Sequence, residues 1–396
     1  MRSLKPLLFS MVLIGACQTT PTVETGSLSK SALETASEQG PLINATEVVA
    51  VVASNDIATD LEQKAAHWGY ALKRKEPLDG LGLLVLTFDC PPGIDPHVAS
   101  RELERLSPQS NVGANHRYSF QAALPALQAM PQAPRHYANA LIEWPENGCE
   151  VKRSIGMIDG GIDPDANILR VASIQSKSFI NTISPKAVEH GTAVAEILVG
   201  PGRLSGGTLY SAAVVGMDAD GEIYSGVEPM LKALDWMVKS DVEVVNISLA
   251  GPYNRALQRG VDRAVDKGIV IVAAVGNSGA DSGPQFPAAL PSVIAATAVD
   301  ADGLVYKKAV HGPHVDVSAP GVDVWLDEQN RYLSGTSVAA PFIAAMIAAD
   351  ANLATAKSSK QLRQKLRTAS HDLGEAGPDP IYGAGLLQFN RACKAG

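Results

Sequence analysis

From residue 151 onward, short apolar runs alternate with amphipathic helical patterns, and this alternation constrains the fold more than any other feature. The apolar runs, each of strand length, are 154–158, 209–215, 242–249, 269–275 and 293–298. The helical patterns are 190–199, 225–239, 253–267, 337–350 and 358–368. Strands that alternate with helices in this way form a mostly parallel sheet covered by helices on both faces. The sequence therefore predicts a doubly wound α/β fold over residues 151–396.

The most apolar of these helices, Val338 to Ala349, is preceded by Gly335 and Ser337. The first N–H groups of a helix have no partner within the helix, and its dipole favours negative charge there. A serine at this point therefore has hydrogen-bond donors beside it for an oxyanion. Pro341 cannot donate to the carbonyl of Ser337 and is expected to bend the helix. Taken alone, the segment is also consistent with an ordinary capped core helix.

Two upstream segments carry the partners that a serine nucleophile needs. The run 154–158 is a predicted buried strand that leads into Asp159 and a glycine turn, and His190 enters an amphipathic helix. A serine hydroxyl is a weak nucleophile at neutral pH and needs a base within hydrogen-bond reach. Asp159 and Asn277 both end predicted strands, and active sites in such sheets lie at the carboxyl edge of the strands.

These three segments, in the order Asp, His, Ser and with these flanks, resemble those of the subtilisin-like (subtilase) serine proteases. The stretch 244–252 is similar to the family's substrate-cleft strand, and 269–277 is similar to the strand that ends at its oxyanion asparagine. Segments 286–295 and 315–321 match two further blocks of the family. The resemblance extends from Val151 to Gln388.

The resemblance implies a role for each of these residues. Ser337 would be the nucleophile, His190 the general base and Asp159 the group that orients the imidazole. The Asn277 side-chain amide would stabilise the oxyanion together with the backbone N–H of Ser337. The substrate-binding residues that the resemblance implies are Ser248, Leu249, Ala250, Gly276 and Gln285.

The chain departs from the family pattern at several positions. Gly160 follows the aspartate where the family usually has Thr or Ser, so one hydrogen bond to the carboxylate is expected to be missing. Ala193 replaces a second histidine that is common after the first. Ala250 replaces a glycine of the cleft strand and Gln285 falls near the floor of the first specificity pocket, so we expect small or medium residues before the cleaved bond.

No cofactor or metal is expected. The short segment between the His190 helix and Leu209 has no counterpart of the family's high-affinity calcium loop. His311 and His314 flank a Gly-Pro pair and are better explained as an exposed turn than as metal ligands. The net charge of −8 argues against a nucleic-acid-binding surface.

The N-terminus predicts export. A short basic region at Met1 to Lys5 precedes the apolar stretch Pro6 to Ile14, which is too short for a membrane span of about 20 residues. Residues 1–16 are therefore a predicted signal peptide. The sequence Ile-Gly-Ala-Cys ending at Cys17 resembles a bacterial lipoprotein box, so lipidation of Cys17 is expected; a plain signal peptide is the alternative. Residues 17–45 are rich in Thr, Ser, Glu and Pro and predict a flexible tether.

Residues 46–120 predict a small α+β domain in the order β-α-β-β-α-β, which is the ferredoxin-like arrangement. Predicted strands are 47–53, 70–75, 81–88 and 112–120, and predicted helices are 56–68 and 97–106. The order, and the ending at Asn115 to Tyr118, resemble the subtilase propeptide, an intramolecular chaperone and inhibitor. An unrelated small α+β domain is the alternative.

Residues 121–150 contain four prolines and predict a linker, with a processing site in about 119–135. Besides Cys17, the chain has Cys90, Cys149 and Cys393. An exported protein can hold one disulfide among these three. Cys149–Cys393 would join the ends of the catalytic domain, and Cys90–Cys149 is the competing pairing.

The sequence therefore predicts a serine endopeptidase that is made as a self-inhibited, exported precursor. Expected partners are polypeptide substrates, the chain's own N-terminal domain and, through Cys17, a membrane of the bacterial cell envelope. That membrane would be the outer one in a Gram-negative host, with release after processing as a further outcome. The alternative is a tethered pseudoprotease that binds polypeptides without cleaving them.

Overall fold

The computed structural model describes residues 39–120, 134–218 and 221–389. The predicted signal peptide, Cys17, most of the predicted tether, residues 121–133 of the linker, and Cys393 lie outside the described residues. No helix within the described ranges is long and apolar enough to cross a membrane.

The N-terminal unit contains a four-stranded antiparallel sheet with two helices. Its elements are β1 (Glu47–Val52), α1 (Asn55–His67), β2 (Ala71–Leu78), β3 (Leu83–Asp89), α2 (Pro96–Leu106) and β4 (Asn111–Ala114). The sheet order is β2-β3-β1-β4, with β1 antiparallel to both β3 and β4. Ser54 caps α1 and Asp95 caps α2 by accepting backbone N–H bonds. The predicted ferredoxin-like β-α-β-β-α-β order is therefore present.

Strand β1 is buried on both faces. Val48, Ala50 and Val52 pack in the core beneath α1 and α2. Val49 and Val51 point the other way and join a core that includes Leu231 and other residues of the larger unit. Because successive side chains of a strand point to opposite faces, β1 contributes residues to both cores.

The predicted strand 112–120 is wrong as a single element. Strand β4 ends at Ala114, and the two-residue strand β5 (Ser119–Phe120) pairs with the large unit instead of with the small sheet. The chain leaves the small sheet here because Tyr118 exchanges both backbone hydrogen bonds with Ser225 of the large unit. At the other end of this unit, the backbones of Pro41 and Ile43 bond to Arg117 and Asn115.

The large unit is the predicted α/β domain. Its elements are α3 (Tyr137–Leu141), β6 (Cys149–Glu150), β7 (Ile155–Asp159), β8 (Ser173–Ser178), α4 (Pro185–Val199), β9 (Leu204–Ser205), β10 (Thr208–Ala213), β11 (Gly216–Met217), β12 (Ile223–Tyr224), α5 (Val227–Lys239), β13 (Val244–Ile247), β14 (Leu249–Ala250), α6 (Arg255–Asp266), β15 (Val270–Ala274), β16 (Ile294–Val299), β17 (Val317–Pro320), β18 (Val324–Leu326), β19 (Arg331–Leu333), α7 (Thr336–Ala349), α8 (Ala351–Ala354), α9 (Ser359–Ala369), β20 (Ser370–His371) and β21 (Leu386–Leu387).

Its nine-stranded sheet has the order β20-β21-β17-β16-β15-β13-β7-β10-β8, and every pairing is parallel except β20 with β21. Met157 and Val244 face one core, which also contains the buried residues of α4 and α7. Ile158 and Val245 face the other core, which contains those of α5 and α6. Helices therefore cover both faces, and the doubly wound fold predicted from the sequence is confirmed.

The cysteines divide between the two units. Cys149 is disulfide-bonded, whereas Cys90 has a buried free thiol. Burial raises the pKa of the Cys90 thiol to about 12, so it stays protonated at neutral pH. The alternative pairing of Cys90 with Cys149 is therefore excluded.

Candidate active site

Asp159, His190 and Ser337 lie next to one another at one edge of the large sheet. Asp159 is the last residue of β7, His190 lies within α4, and Ser337 is the second residue of α7. The Nδ1 atom of His190 lies 2.7 Å from Oδ1 of Asp159, and its Nε2 lies 3.2 Å from Oγ of Ser337. Asp159 and Ser337 are fully buried. The three segments that the sequence singled out thus converge on one line of hydrogen bonds.

The Asp159 carboxylate uses one oxygen for both of its visible bonds. Oδ1 accepts the backbone N–H of Gly160 at 2.6 Å in addition to His190. Oδ2 is buried and has no hydrogen-bond partner among the described residues, which agrees with the bond that the sequence expects to be missing. A Cβ on Gly160 would lie 1.9 Å from the carbonyl oxygen of Ala187. The close approach of α4 therefore leaves no room for Thr or Ser at position 160.

His190 is further inside its helix than the sequence predicts. Helix α4 begins at Pro185. Proline suits the first helical position because an N–H there would have no acceptor within the helix, so its absence costs no hydrogen bond. His190 consequently lies in the second turn, with its side chain 8% exposed. With a proton on Nδ1 directed at Asp159, Nε2 is the acceptor for the Ser337 hydroxyl.

The carbonyl of Ser337 receives a replacement hydrogen bond. Pro341 lies four residues later and has no N–H to donate to this carbonyl. The Ser248 hydroxyl donates to it at 3.1 Å and itself accepts from the Asn246 side-chain amide at 2.8 Å. The sequence assigns Ser248 to substrate binding only; here it also supports the backbone of the serine turn.

Asn277 is held by Thr336, a residue that the sequence analysis missed. The Asn277 Oδ1 accepts from the backbone N–H of Thr336 at 3.1 Å and from its hydroxyl at 3.0 Å. The same hydroxyl accepts the N–H of Gly276 at 3.2 Å. Because Oδ1 is fixed on Thr336, the Nδ2 donor occupies the opposite edge of the amide. The only sequence signal for this role is a threonine directly before the serine.

The cleft beside these residues already contains a peptide strand, contributed by the N-terminal unit. In antiparallel register, β5 pairs with β14, with Phe120 opposite Leu249 and Ser119 opposite Ala250. The Phe120 ring stacks on the His190 imidazole, with 4.0 Å between ring centroids. A pocket of about 400 Å³ extends from this stack between Lys186, Glu189 and Arg331.

Gly276 lies against Gln285, the residue that the family resemblance places near the floor of the first specificity pocket. Gly276 has φ of +107°, and a Cβ there would lie 2.2 Å from Oε1 of Gln285. The Gln285 side chain is therefore in direct contact with the glycine backbone, and its Nε2 donates to Ser278. The preference for small or medium residues stays a prediction.

Within the described parts of the chain, no group of three or more His, Cys, Asp or Glu side chains could hold a metal ion. The expectation of an exposed turn is wrong for His314, which is 2% exposed. Burial lowers the pKa of His314 to about 4, so this imidazole is neutral at neutral pH.

Comparison with known proteins gives consistent matches. The model of the Subtilase family matches residues 152–385. Subtilisin DY from Bacillus licheniformis is 34% identical over 265 residues, which cover 62% of this chain and 92% of that protein. The minor extracellular protease Epr from Bacillus subtilis (strain 168) is 30% identical over 246 residues, which cover 59% of this chain but only 37% of Epr.

Solved structures show the same fold. Fervidolysin from Fervidobacterium pennivorans aligns with a TM-score of 0.65 at 18% identity, covering 92% of this chain and 64% of that chain. The epidermin leader peptide processing serine protease from Staphylococcus aureus aligns with a TM-score of 0.60 at 16% identity, covering 87% and 97%. Because the family model matches more than half of the chain, and a relative that is 34% identical is covered over 92% of its length, the chain belongs to the Subtilase family, the subtilisin-like serine endopeptidases.

Proposed function

We propose that this chain is an exported serine endopeptidase that is made as a precursor inhibited by its own N-terminal domain. The observation that carries the proposal is the line of hydrogen bonds from Asp159 through His190 to Ser337, with its distances of 2.7 Å and 3.2 Å. These distances are those of a base within reach of a nucleophile and oriented by a third group.

In the proposed reaction, the Ser337 Oγ attacks the carbonyl carbon of the substrate peptide bond. His190 Nε2 takes the hydroxyl proton and later gives it to the leaving amine, and Asp159 stabilises the imidazolium between these two steps. The acyl group stays on Ser337 until a water molecule, deprotonated by His190, releases the carboxylic acid and regenerates the hydroxyl.

The tetrahedral oxyanion would be stabilised by Asn277 Nδ2 and the backbone N–H of Ser337. The fixed orientation of the Asn277 amide supports this role, because donors that are already in position need no reorganisation in the transition state. Loss of one such donor in subtilisin, a member of this family, costs about 10²–10³ in turnover, and we expect a loss in that range for Asn277→Ala.

Residues 46–120 would act as the inhibitor. β5 occupies the cleft as an added strand, a common mode of peptide recognition. Outside the cleft, Glu228 of α5 accepts bonds from Arg74 and Thr87, and Asp235 of the same helix accepts the N–H of Leu81. Docking thus uses both the cleft and the acidic face of α5.

The lipid anchor and the cell-envelope location are parts of the same proposal and rest on the sequence ending at Cys17. Lipidation there would place the anchor on the inhibitor side of a cut in 119–135, so processing would separate the catalytic domain from its covalent attachment. Membrane fractionation of wild type, Ser337→Ala and Cys17→Ala distinguishes the outcomes. A mature catalytic fragment that still carries Cys17 would contradict the separation.

Intact-mass analysis and fluorophosphonate labelling of the full chain test the activity. We expect the wild type to be cut in 119–135 and labelled on Ser337, whereas Ser337→Ala stays full-length and unlabelled. Ser282→Ala, at an exposed loop, is the matched serine control and should behave as wild type. A processed wild type that takes no label would support a polypeptide-binding pseudoprotease instead.

A further inference from the structure

The strand in the cleft shows which side chains the cleft receives upstream of Phe120. Tyr118 lies between two cleft segments, with Ser225 bonded to its backbone N–H and carbonyl on one side and Gly251 against its ring on the other. A substrate that adds to the same edges in the same direction has its own residues in the positions of 117, 118, 119 and 120. The strand is therefore a template for substrate side chains.

We propose that Asp218 and Tyr224 form a subsite for arginine, and that the enzyme prefers substrates with arginine in the position of Arg117. This inference rests on the proposed endopeptidase function and adds its substrate class: polypeptides with an arginine three residues before the residue that takes the position of Phe120.

The arginine position has two contacts with the large unit. Arg117 Nη1 lies 3.3 Å from Oδ2 of Asp218, and the guanidinium carbon lies 4.4 Å from the centroid of the Tyr224 ring. A planar guanidinium can make both contacts together, whereas an ammonium group cannot stack in the same way. The third contact, from Arg117 Nε to the Leu42 carbonyl at 2.7 Å, belongs to the N-terminal unit and is absent for an external substrate.

Asp218 is held in place independently of Arg117. Its Oδ1 accepts the backbone N–H of Glu222 at 2.9 Å, and its own N–H donates to the Glu222 carbonyl. Tyr224 is fixed by its pairing with Gly216 in the hairpin of β11 and β12. The carboxylate and the ring are therefore positioned by the large unit itself, which is what a substrate subsite requires.

Tyr118, at the next position, is held firmly and so fixes the register of the strand at Arg117. Tyr118 is fully buried, and a Cβ on Gly251 would lie 2.6 Å from its ring. The ring fits here because residue 251 is a glycine and has no side chain. The Tyr118 hydroxyl donates to the Pro252 carbonyl at 2.9 Å. Burial raises the pKa of this phenol, which keeps the donor protonated. Phenylalanine would leave the carbonyl without this donor.

Cleavage of a quenched fluorogenic decapeptide with the sequence of residues 115–124 tests the subsite, with the processed protein as enzyme. Replacement of the peptide's arginine by glutamine should lower kcat/KM about fivefold to tenfold, the combined range of a partly exposed ion pair and a cation–π contact. In Asp218→Asn, which keeps the Oδ1 acceptor for Glu222 and leaves the Tyr224 ring in place, the two peptides should differ only about twofold to fourfold, the part that the cation–π contact contributes. Asp302→Asn, which replaces an exposed carboxylate elsewhere on the protein, should distinguish the two peptides as strongly as the wild type does.

The outcomes separate the two proposals. Hydrolysis of both peptides at equal rates by the wild type would overturn the arginine subsite and leave the endopeptidase function standing. Absence of any hydrolysis would count against the endopeptidase function. In that case a second measurement decides the subsite: thermal unfolding of the full chain in the Ser337→Ala background. Arg117→Gln and Asp218→Asn should each lower Tm, and their combination should lower it no further; additive effects would refute the contact.

Discussion

The Phe120 ring stacks on the His190 imidazole with 4.0 Å between their centroids and 23° between their planes. One residue of the N-terminal unit thus covers the proposed general base directly. The contact is local, whereas the remaining interface of that unit is spread over α5, α6 and the cleft strands. Access to His190 and the overall docking of the unit can therefore be perturbed separately.

Phe120→Ala should open the proposed catalytic residues of the full chain to small reagents. An aromatic pair contributes about 0.5–1.5 kcal/mol beyond its buried area, so we expect fluorophosphonate to label Ser337 roughly twofold to tenfold faster. Ser119→Ala, at the exposed neighbouring position, should label at the wild-type rate. Equal rates for all three proteins would mean that the stack does not limit access.

Thr336→Val should slow the chemical step. The valine keeps the branched shape but removes the hydroxyl that links Gly276 to the Asn277 side chain. Without the hydroxyl, the Asn277 Oδ1 keeps only the backbone N–H of residue 336 as a donor, so the amide is held less firmly. One net hydrogen bond corresponds to about 1 kcal/mol. We expect kcat to fall about fivefold to tenfold with KM nearly unchanged, as measured by steady-state cleavage of the decapeptide.

Thr336→Ser is the matched control because it retains the hydroxyl. It should keep most of the wild-type kcat. Because Thr336→Val also leaves the N–H of Gly276 without its partner, Tm is measured alongside. A parallel fall of kcat in both variants would refute a positioning role for the hydroxyl.

Gly160→Ala should destabilise the large unit strongly. The added Cβ would lie 1.9 Å from the Ala187 carbonyl oxygen, and both groups are backbone-fixed. Either β7 or α4 has to move, at a cost of about 3 kcal/mol or more. Thermal unfolding in the Ser337→Ala background measures the effect without self-digestion. Gly283→Ala adds the same methyl where no atom lies within 4 Å and should leave Tm unchanged; a Tm for Gly160→Ala equal to that of the control would contradict the steric explanation.

Local sequence patterns were sufficient for the framework of the fold. The apolar runs before Asp159 and Asn277 are strands, and the predicted helices of the large unit agree with the observed ones to within a few residues at most boundaries. Such patterns depend on burial of one face of an element, which neighbouring residues along the chain record directly. The spatial convergence of Asp159, His190 and Ser337 came from the family resemblance, not from periodicity.

The features that the sequence did not predict all depend on partners distant in the chain. Residues 112–120 have the composition of one strand, but the backbone of the second half pairs with Ser225 and β14 of the large unit instead of with the small sheet. The role of Thr336 requires Asn277 to lie opposite it across the turn. The sequence places His314 in a polar turn, yet only 2% of its surface is exposed in the fold.

That buried histidine gives the stability of the protein a pH dependence of known sign. The folded pKa of His314 is about 4 and the unfolded value is 6.5, so between these limits the unfolded chain binds the extra proton. Stability is therefore complete above about pH 6.5 and falls as the pH decreases toward 4. The full effect is on the order of 3 kcal/mol, since each pKa unit corresponds to about 1.4 kcal/mol.

Urea denaturation in the Ser337→Ala background at pH 7 and pH 5 measures this dependence. His314→Leu removes the titrating group. The difference between the free energies of unfolding at pH 7 and pH 5 should therefore shrink by about half or more of that 3 kcal/mol. His371→Leu, at an exposed side chain, is the matched substitution and should preserve the difference. If His314→Leu and His371→Leu show the same pH dependence as the parent, the imidazole of His314 is protonated in the folded protein without cost, and its burial does not control the acid sensitivity.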